Sequence, residues 1–143
     1  MKEEQKNIFQ KLQMGNILEK ICEDKKKEIE HIKTKCSLNS LKKLISDKIS
    51  KRNFKTKLID LTKNKVNFII GEIKKASPST GQIIENYNPL EIAKIYETSG
   101  IGAISILTEN KYFQGNIDHL SLLKQNINIP ILRKDFIIDE YQI

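Results

Sequence analysis

The sequence predicts an α/β fold of parallel βαβ units behind a helical amino-terminal segment. Three observations lead there. Residues 16–65 repeat apolar side chains at spacings of three and four. From Val66 the texture changes to short, near-continuous apolar runs: "NFIIGEI", "GAISILTE" and "IPILRKDF". Amphipathic helical segments separate those runs, and strands that are apolar throughout, alternating with helices, indicate a parallel sheet. Repeating units of about 30 residues fit either a doubly wound sheet or a (β/α)8 barrel.

Residues 1–15 are mostly polar and are expected to fray. Asn16 is the expected N-cap of a first helix, with Ile17, Leu18, Ile21, Cys22, Ile29 and Ile32 near one face. A second helix is expected around Leu41, Leu44, Ile45 and Ile49. The segment "KRNFKTKLIDLTKNK" reads as a lead through Phe54, Leu58 and Leu61 to a strand that starts at Val66 and is buried over Phe68, Ile69 and Ile70. "NPLEIAKIYETSG" is a well-marked helix: Asn88 caps it, Pro89 takes the first position, Glu91 completes a capping box, and Gly100 closes it. A further helix opens near Asn116 and carries Ile117, Leu120, Leu123 and Ile127. After the third strand, "IIDEYQI" begins another element. The expected division is a polar, disordered start over 1–15, a helical extension over 16–65, and three βα units over 66–143.

Composition narrows the function classes. Hydrophobic residues make up 38% and charged residues 30%, which suits a soluble globular protein. No run approaches the roughly 18 apolar residues of a membrane span, and "MKEEQKNIFQ" lacks the apolar core of a secretory signal. A cytoplasmic location without membrane contact is expected. The net charge of +7 divides into +9 over residues 1–65 and −2 over residues 66–143. The basic half does not read as a nucleic-acid surface. Its lysines alternate with glutamates, as in "EDKKKEIE", and only Phe9 and Phe54 could stack on bases. Cys22 and Cys36 form neither a C-x-x-C pair nor a disulfide framework. His31 and His119 sit among polar neighbours, outside any metal-ligand spacing, and are expected to be solvated.

Function in parallel α/β folds gathers at the carboxyl ends of the strands. All three strands here end in polar groups: Glu72, Lys74 and Lys75; Thr108 and Glu109; Arg133, Lys134 and Asp135. Three such endings in succession are expected to converge on one pocket. Alternation along the first strand puts Glu72 and Lys74 on one face and Lys75 on the other. An acid and an ammonium side by side help keep each other charged. The loop "SPSTG" offers two serine hydroxyls but matches no Walker-type pattern. Lysine and glutamate without a metal cluster imply general acid–base work on an anionic substrate.

Three blocks, "EIKKASPSTG", "AISILTENKYFQG" and "PILRKDFIIDEYQI", closely resemble the amino-terminal half of the indole-3-glycerol-phosphate synthase family. "ILEKICEDKKKEI" resembles the helix that precedes the barrel in that family, so the likeness runs from about Ile17 to Ile143. The resemblance implies a (β/α)8 TIM barrel in tryptophan biosynthesis that uses no metal or organic cofactor. It implies conversion of 1-(2-carboxyphenylamino)-1-deoxyribulose 5-phosphate, a small anionic phosphorylated substrate, to indole-3-glycerol phosphate, carbon dioxide and water. By motif, Lys134 takes the place of the general acid and Lys74 that of the lysine contacting the anionic substrate. Glu72 matches the acid that orients the site. Ser77 matches a phosphate-loop position, and Phe113 matches the aromatic residue lining the anthranilate ring.

A barrel of this type takes about 250 residues, so the expectation is an incomplete one: amino-terminal helices plus the first three strands. The isolated chain is then expected to be inactive, or nearly so, and marginally folded. A second polypeptide supplying the missing half is one expectation. A non-catalytic remnant serving as an interaction module is the alternative.

Overall fold

A computed structural model of the protein describes residues 2–45 and 52–143, with side chains of the first helix from Ile17 onward. The chain divides into two compact units, Met1–Ile49 with Phe136–Ile143, and Ser50–Asp135.

The first unit is built on a long helix, α1 (Lys2–Lys35), followed by α2 (Leu38–Leu44). The backbone is helical well before Asn16, so Asn16 does not start the helix, and the stretch expected to fray belongs to it. Lys, Glu, Gln and Leu dominate residues 2–13, all strong helix formers with no proline among them. Gly15 costs only about 1 kcal/mol against that preference. Ile21 and Ile29 are buried, and Lys25 lies between them on the same face, ion-paired to Glu28 at 2.8 Å. Ser37 caps α2 by accepting a hydrogen bond from the Ser40 N–H. The carboxyl-terminal residues close with a 3-10 turn, Glu140–Gln142, inside a capping box formed by Asp139 and Gln142. Lys33 holds Asp139 at 2.6 Å, and the Tyr141 hydroxyl donates to the Cys36 carbonyl at 2.8 Å.

The second unit runs α3 (Phe54–Lys63), β1 (Ile70–Ile73), a hairpin of β2 (Ala76–Ser77) and β3 (Gly81–Gln82), α4 (Pro89–Thr98), β4 (Ala103–Leu107), α5 (Asp118–Asn126) and β5 (Ile131–Lys134). Helix α3 replaces the connecting segment expected there. Its signals are a side-chain cap, with Asn53 accepting from the Thr56 N–H, and the spacing of Phe54, Leu58 and Leu61. At α4, Asn88 accepts from the Glu91 N–H, Pro89 opens the first turn, and Gly100 follows at φ 77°, but the return bond of the Glu91 side chain that would complete the expected capping box is absent among the described residues.

Strands β1, β4 and β5 form one parallel sheet in that order, with Ile73 opposite Ile106 and Leu107 opposite Lys134. Each crossover carries a helix, which is what parallel pairing requires. Ile73, Ile104 and Ile106 lie on the face covered by α4 and α5, and they pack there with Ala93, Leu123, Ile127 and Ile129. Among the described residues the parallel sheet has three strands and does not close into a barrel. The strand expected from Val66 pairs only from Ile70. Val66, Ile69 and Ile70 are exposed rather than buried, because β4 is the only described neighbour of β1. Leu132 is likewise half exposed on the uncovered face. No helix of the described residues is long and apolar enough to cross a membrane.

The two leucines that adjoin on α5 report which side of the helix faces the core. Leu123 is fully buried and Leu122 is 37% exposed. Leu123→Ala is expected to lower stability by about 2–5 kcal/mol and Leu122→Ala by under about 1 kcal/mol, measured by urea unfolding. Equal losses would contradict the packing of α5.

Candidate active site at the strand ends

Three side chains meet where the sheet ends. Glu72 leaves β1 on the face away from the helices, and Lys74 follows it on the same side by alternation. Their ion pair is 3.0 Å long. Lys134, the last residue of β5, donates to the other oxygen of the same carboxylate. Strand β4 lies between β1 and β5, so their backbones are roughly 10 Å apart. The residue of β4 opposite Glu72 is Ser105, and the one opposite Lys134 is Leu107. Glu72 is also fixed from the helix side. The Tyr96 hydroxyl of α4 donates to its backbone carbonyl at 3.2 Å. The Tyr96 ring approaches so closely that a Cβ on Gly71 would lie 2.6 Å from it.

Burial pushes the Glu72 carboxyl up, but the hydrogen bonds and charges of Lys134 and Lys74 outweigh it. The net effect holds the group below the usual carboxylate range. One ionised acid thus serves two ammonium groups, and the cluster carries a net charge of about +1. Both lysines are at least 31% exposed along their side chains. They can turn toward a bound anion while Glu72 keeps them in place.

The remaining strand endings do not converge on this point. Arg133 stands opposite Ile106 and therefore faces away from Lys134. It pairs with Asp135 at 3.1 Å, and the Thr108 hydroxyl donates to the same Asp135 oxygen at 2.7 Å. The Asp135 side chain is 2% exposed, so this second network is internal. Glu109 is buried too, and its carboxylate accepts the backbone N–H groups of Lys111, Tyr112 and Phe113 at 2.7–3.1 Å. The expectation of one shared pocket treated every polar ending alike. Period-two alternation and local loop bonding divide them instead.

Ser77 lies in the β2–β3 hairpin that follows β1, and Phe113 lies in the loop after β4. Ser77 is nearly buried in the β2–β3 hairpin, where its hydroxyl lies 3.3 Å from that of Ser79 and accepts from the Thr80 N–H. The hairpin turns over residues 78–80, and Gly81, which opens β3, takes φ 71°. Phe113 is half-buried, its backbone fixed by Glu109. His119 departs from the solvated position expected for it. It is half-buried, with its ring centroid 5.9 Å from that of Tyr87.

A family model described as indole-3-glycerol phosphate synthase matches residues 18–143. The chain belongs to this family. The curated indole-3-glycerol phosphate synthase of Clostridium acetobutylicum is 49% identical over 128 residues, which cover 89% of this chain and 47% of that protein. Its counterpart from Aliarcobacter butzleri is 45% identical over 89% of this chain and 48% of its own length. The protein of the same name from Campylobacter fetus is 46% identical over similar shares, 89% and 48%.

The chain therefore spans about half the length of the curated synthases it matches. Glu72, Lys74, Ser77, Phe113 and Lys134 all lie inside the matched span. The synthase family is a TIM barrel, and the three-stranded parallel sheet with its outer helices has the corresponding local architecture. Within the synthase-like part, the sequence reading missed the Thr108–Arg133–Asp135 network and the loop clamp of Glu109. Alternation was available to place Arg133, since Arg133 and Lys134 are adjacent and must point apart. No comparable sequence signal marks Glu109, whose role depends on how the following loop folds back.

The Glu72 carboxyl is expected to titrate below 4.5, its ordinary value. Carbon-detected NMR of the side chain measures this. Its pairing contributes stability that is fully present above that value and is lost as pH falls through the lower folded-state value. In the Lys74→Met, Lys134→Met double variant only the burial effect remains, and the carboxyl should titrate above 4.5. An unchanged titration would show that the lysines do not set its charge.

Proposed function

We propose that this chain supplies the amino-terminal part of an indole-3-glycerol phosphate synthase active site. In that role it acts in the cytoplasm on 1-(2-carboxyphenylamino)-1-deoxyribulose 5-phosphate. The observation that carries the reading is the Glu72–Lys74–Lys134 cluster, two ammonium groups on one carboxylate at the carboxyl ends of parallel strands. Family membership supplies the reaction class: ring closure onto a carbonyl carbon, loss of carbon dioxide and loss of water.

Each residue has a physical task in this reading. Lys134 is the general acid and protonates the carbonyl oxygen as the ring closes. The Glu72 carboxylate holds its ammonium group at the strand ends, where it can donate. Lys74 binds the anionic substrate and assists the later proton transfers. Glu72 is a positioning residue, holding the lysines of two non-adjacent strands at one spot. Ser77 offers its hydroxyl to the phosphate, and Phe113 lines the aromatic ring. No cofactor enters the scheme, which is acid–base chemistry in a site that favours negative charge.

The uncovered sheet face supports a further part of the proposal. Ile70 and Leu132 expose 45% and 50% of their surface there. We assign that face to the remaining strands of the barrel, carried in solution by a second polypeptide. The 143 residues alone then do not turn over.

The test is to mix the purified chain with the part of the Clostridium acetobutylicum protein that lies beyond the matched span. Indole-3-glycerol phosphate formation is then followed by fluorescence. Activity should need both pieces. In the mixture, Lys134→Ala should lower kcat by roughly a hundred- to ten-thousand-fold. Lys74→Ala should cost far more than Lys75→Ala. Turnover by the chain alone, or equal losses at Lys74 and Lys75, would refute the proposal.

A further inference from the structure

Lys75 is the third lysine at the end of β1, and it is placed unlike the other two. Lys74 and Lys134 are both paired with Glu72. The Lys75 side chain is half-buried and has no ion pair or hydrogen bond among the described residues. It lines a separate pocket of about 360 Å³, together with Tyr87, Asn110, Gln114, Gly115, Asn116 and His119. These come from the loop before α4, the loop after β4 and the first turn of α5.

The chemistry of that lining is one-sided. Lys75 is its only formal charge, and no carboxylate lines the pocket. The imidazole of His119 is shifted toward its neutral form by burial, which outweighs the opposing charge of Asp118. Two polar atoms in the wall, the Tyr87 hydroxyl and His119 Nδ1, are buried and have no hydrogen-bond partner among the described residues. Burial pushes the Tyr87 hydroxyl up to about 12, so it stays protonated and keeps a donor. Asn116 accepts from the Asp118 N–H through its side-chain oxygen, which leaves its amide N–H groups for a ligand. The loop is not loosely held. Asn110 bonds the Gly115 carbonyl at 3.1 Å, and a Cβ at Gly115 would lie 2.4 Å from the Leu107 carbonyl oxygen.

A half-buried cation that lacks a counter-charge, among neutral donors, is a poor structural arrangement and a good anion site. The volume is roughly ten times one water's share of the liquid. We propose that this pocket binds a phosphate group, with Lys75 as the charged donor and Asn116 and Gln114 as neutral ones. It is distinct from the Glu72 cluster and does not depend on the reading of that cluster.

The chain has two histidines, so the ring signals of His119 can be assigned against those of His31. The experiment is a titration of the full chain followed by proton–carbon NMR of the two imidazoles, at constant ionic strength. Inorganic phosphate and glycerol 2-phosphate are the two probes, with chloride as control. The expected result is a saturable shift at His119 and none at His31. Saturation by inorganic phosphate alone assigns the site to the free ion, and saturation by both assigns it to phosphate groups in general. Lys75→Gln should weaken binding about tenfold or more, the usual loss for a charge-assisted hydrogen bond. Lys75→Arg should keep it, which separates lost charge from lost structure, and Lys74→Ala should keep it as well. A shift that never saturates, is matched by chloride, survives Lys75→Gln, or disappears in Lys74→Ala overturns the proposal.

Discussion

A carboxylate at a strand end loses part of its solvation, and at Glu72 two ammonium groups more than offset that loss and hold the group below the usual carboxylate range. That constraint organises the whole strand end. It draws Lys134 across β4 from a strand that does not touch β1, and it keeps Lys74 beside the strand. The Tyr96 hydroxyl holds the backbone at Glu72 from the opposite side. The carboxylate is therefore fixed by the covered face of the sheet while acting on the uncovered one. Removing either lysine leaves a partly desolvated acid with half its compensation.

Alternation then divides the charges near the sheet's end by task. Glu72, Lys74 and Lys134 share the open face. Arg133 and Thr108 close on the buried Asp135 instead, tying the ends of β4 and β5 together. Glu109 gives its carboxylate to three backbone N–H groups of its own loop, which fixes the turn that carries Phe113. Neighbouring polar residues thus serve an ion-paired cluster, a strand tie and a loop clamp. Lys75 joins none of them.

The parallel α/β architecture was legible because its signals are local and redundant. The apolar runs at Ile104 and Ile131, and the Asn88–Pro89–Gly100 punctuation of α4, needed no tertiary knowledge. The trio was legible in part, because Glu72 and Lys74 are two residues apart on one strand. Lys134 was expected there along with every other strand ending, and family likeness singled it out, since contact across 62 residues leaves no trace in local spacing. Helix α3 was passed over although its cap and periodicity were present, because its apolar residues read as an approach to the next strand. The exposure of Ile69 and Ile70 could not be read at all. An apolar run looks the same whether the sheet beside it is continued or open.

The central claim is that one carboxylate holds two ammonium groups from non-adjacent strands. Nitrogen NMR of the lysine ammonium groups at low temperature tests it most directly. Lys74 and Lys134 should give slowly exchanging, hydrogen-bonded signals, both of which are lost in Glu72→Gln while Lys75 is unchanged. Signals from Lys74 and Lys134 that persist in Glu72→Gln would contradict the account.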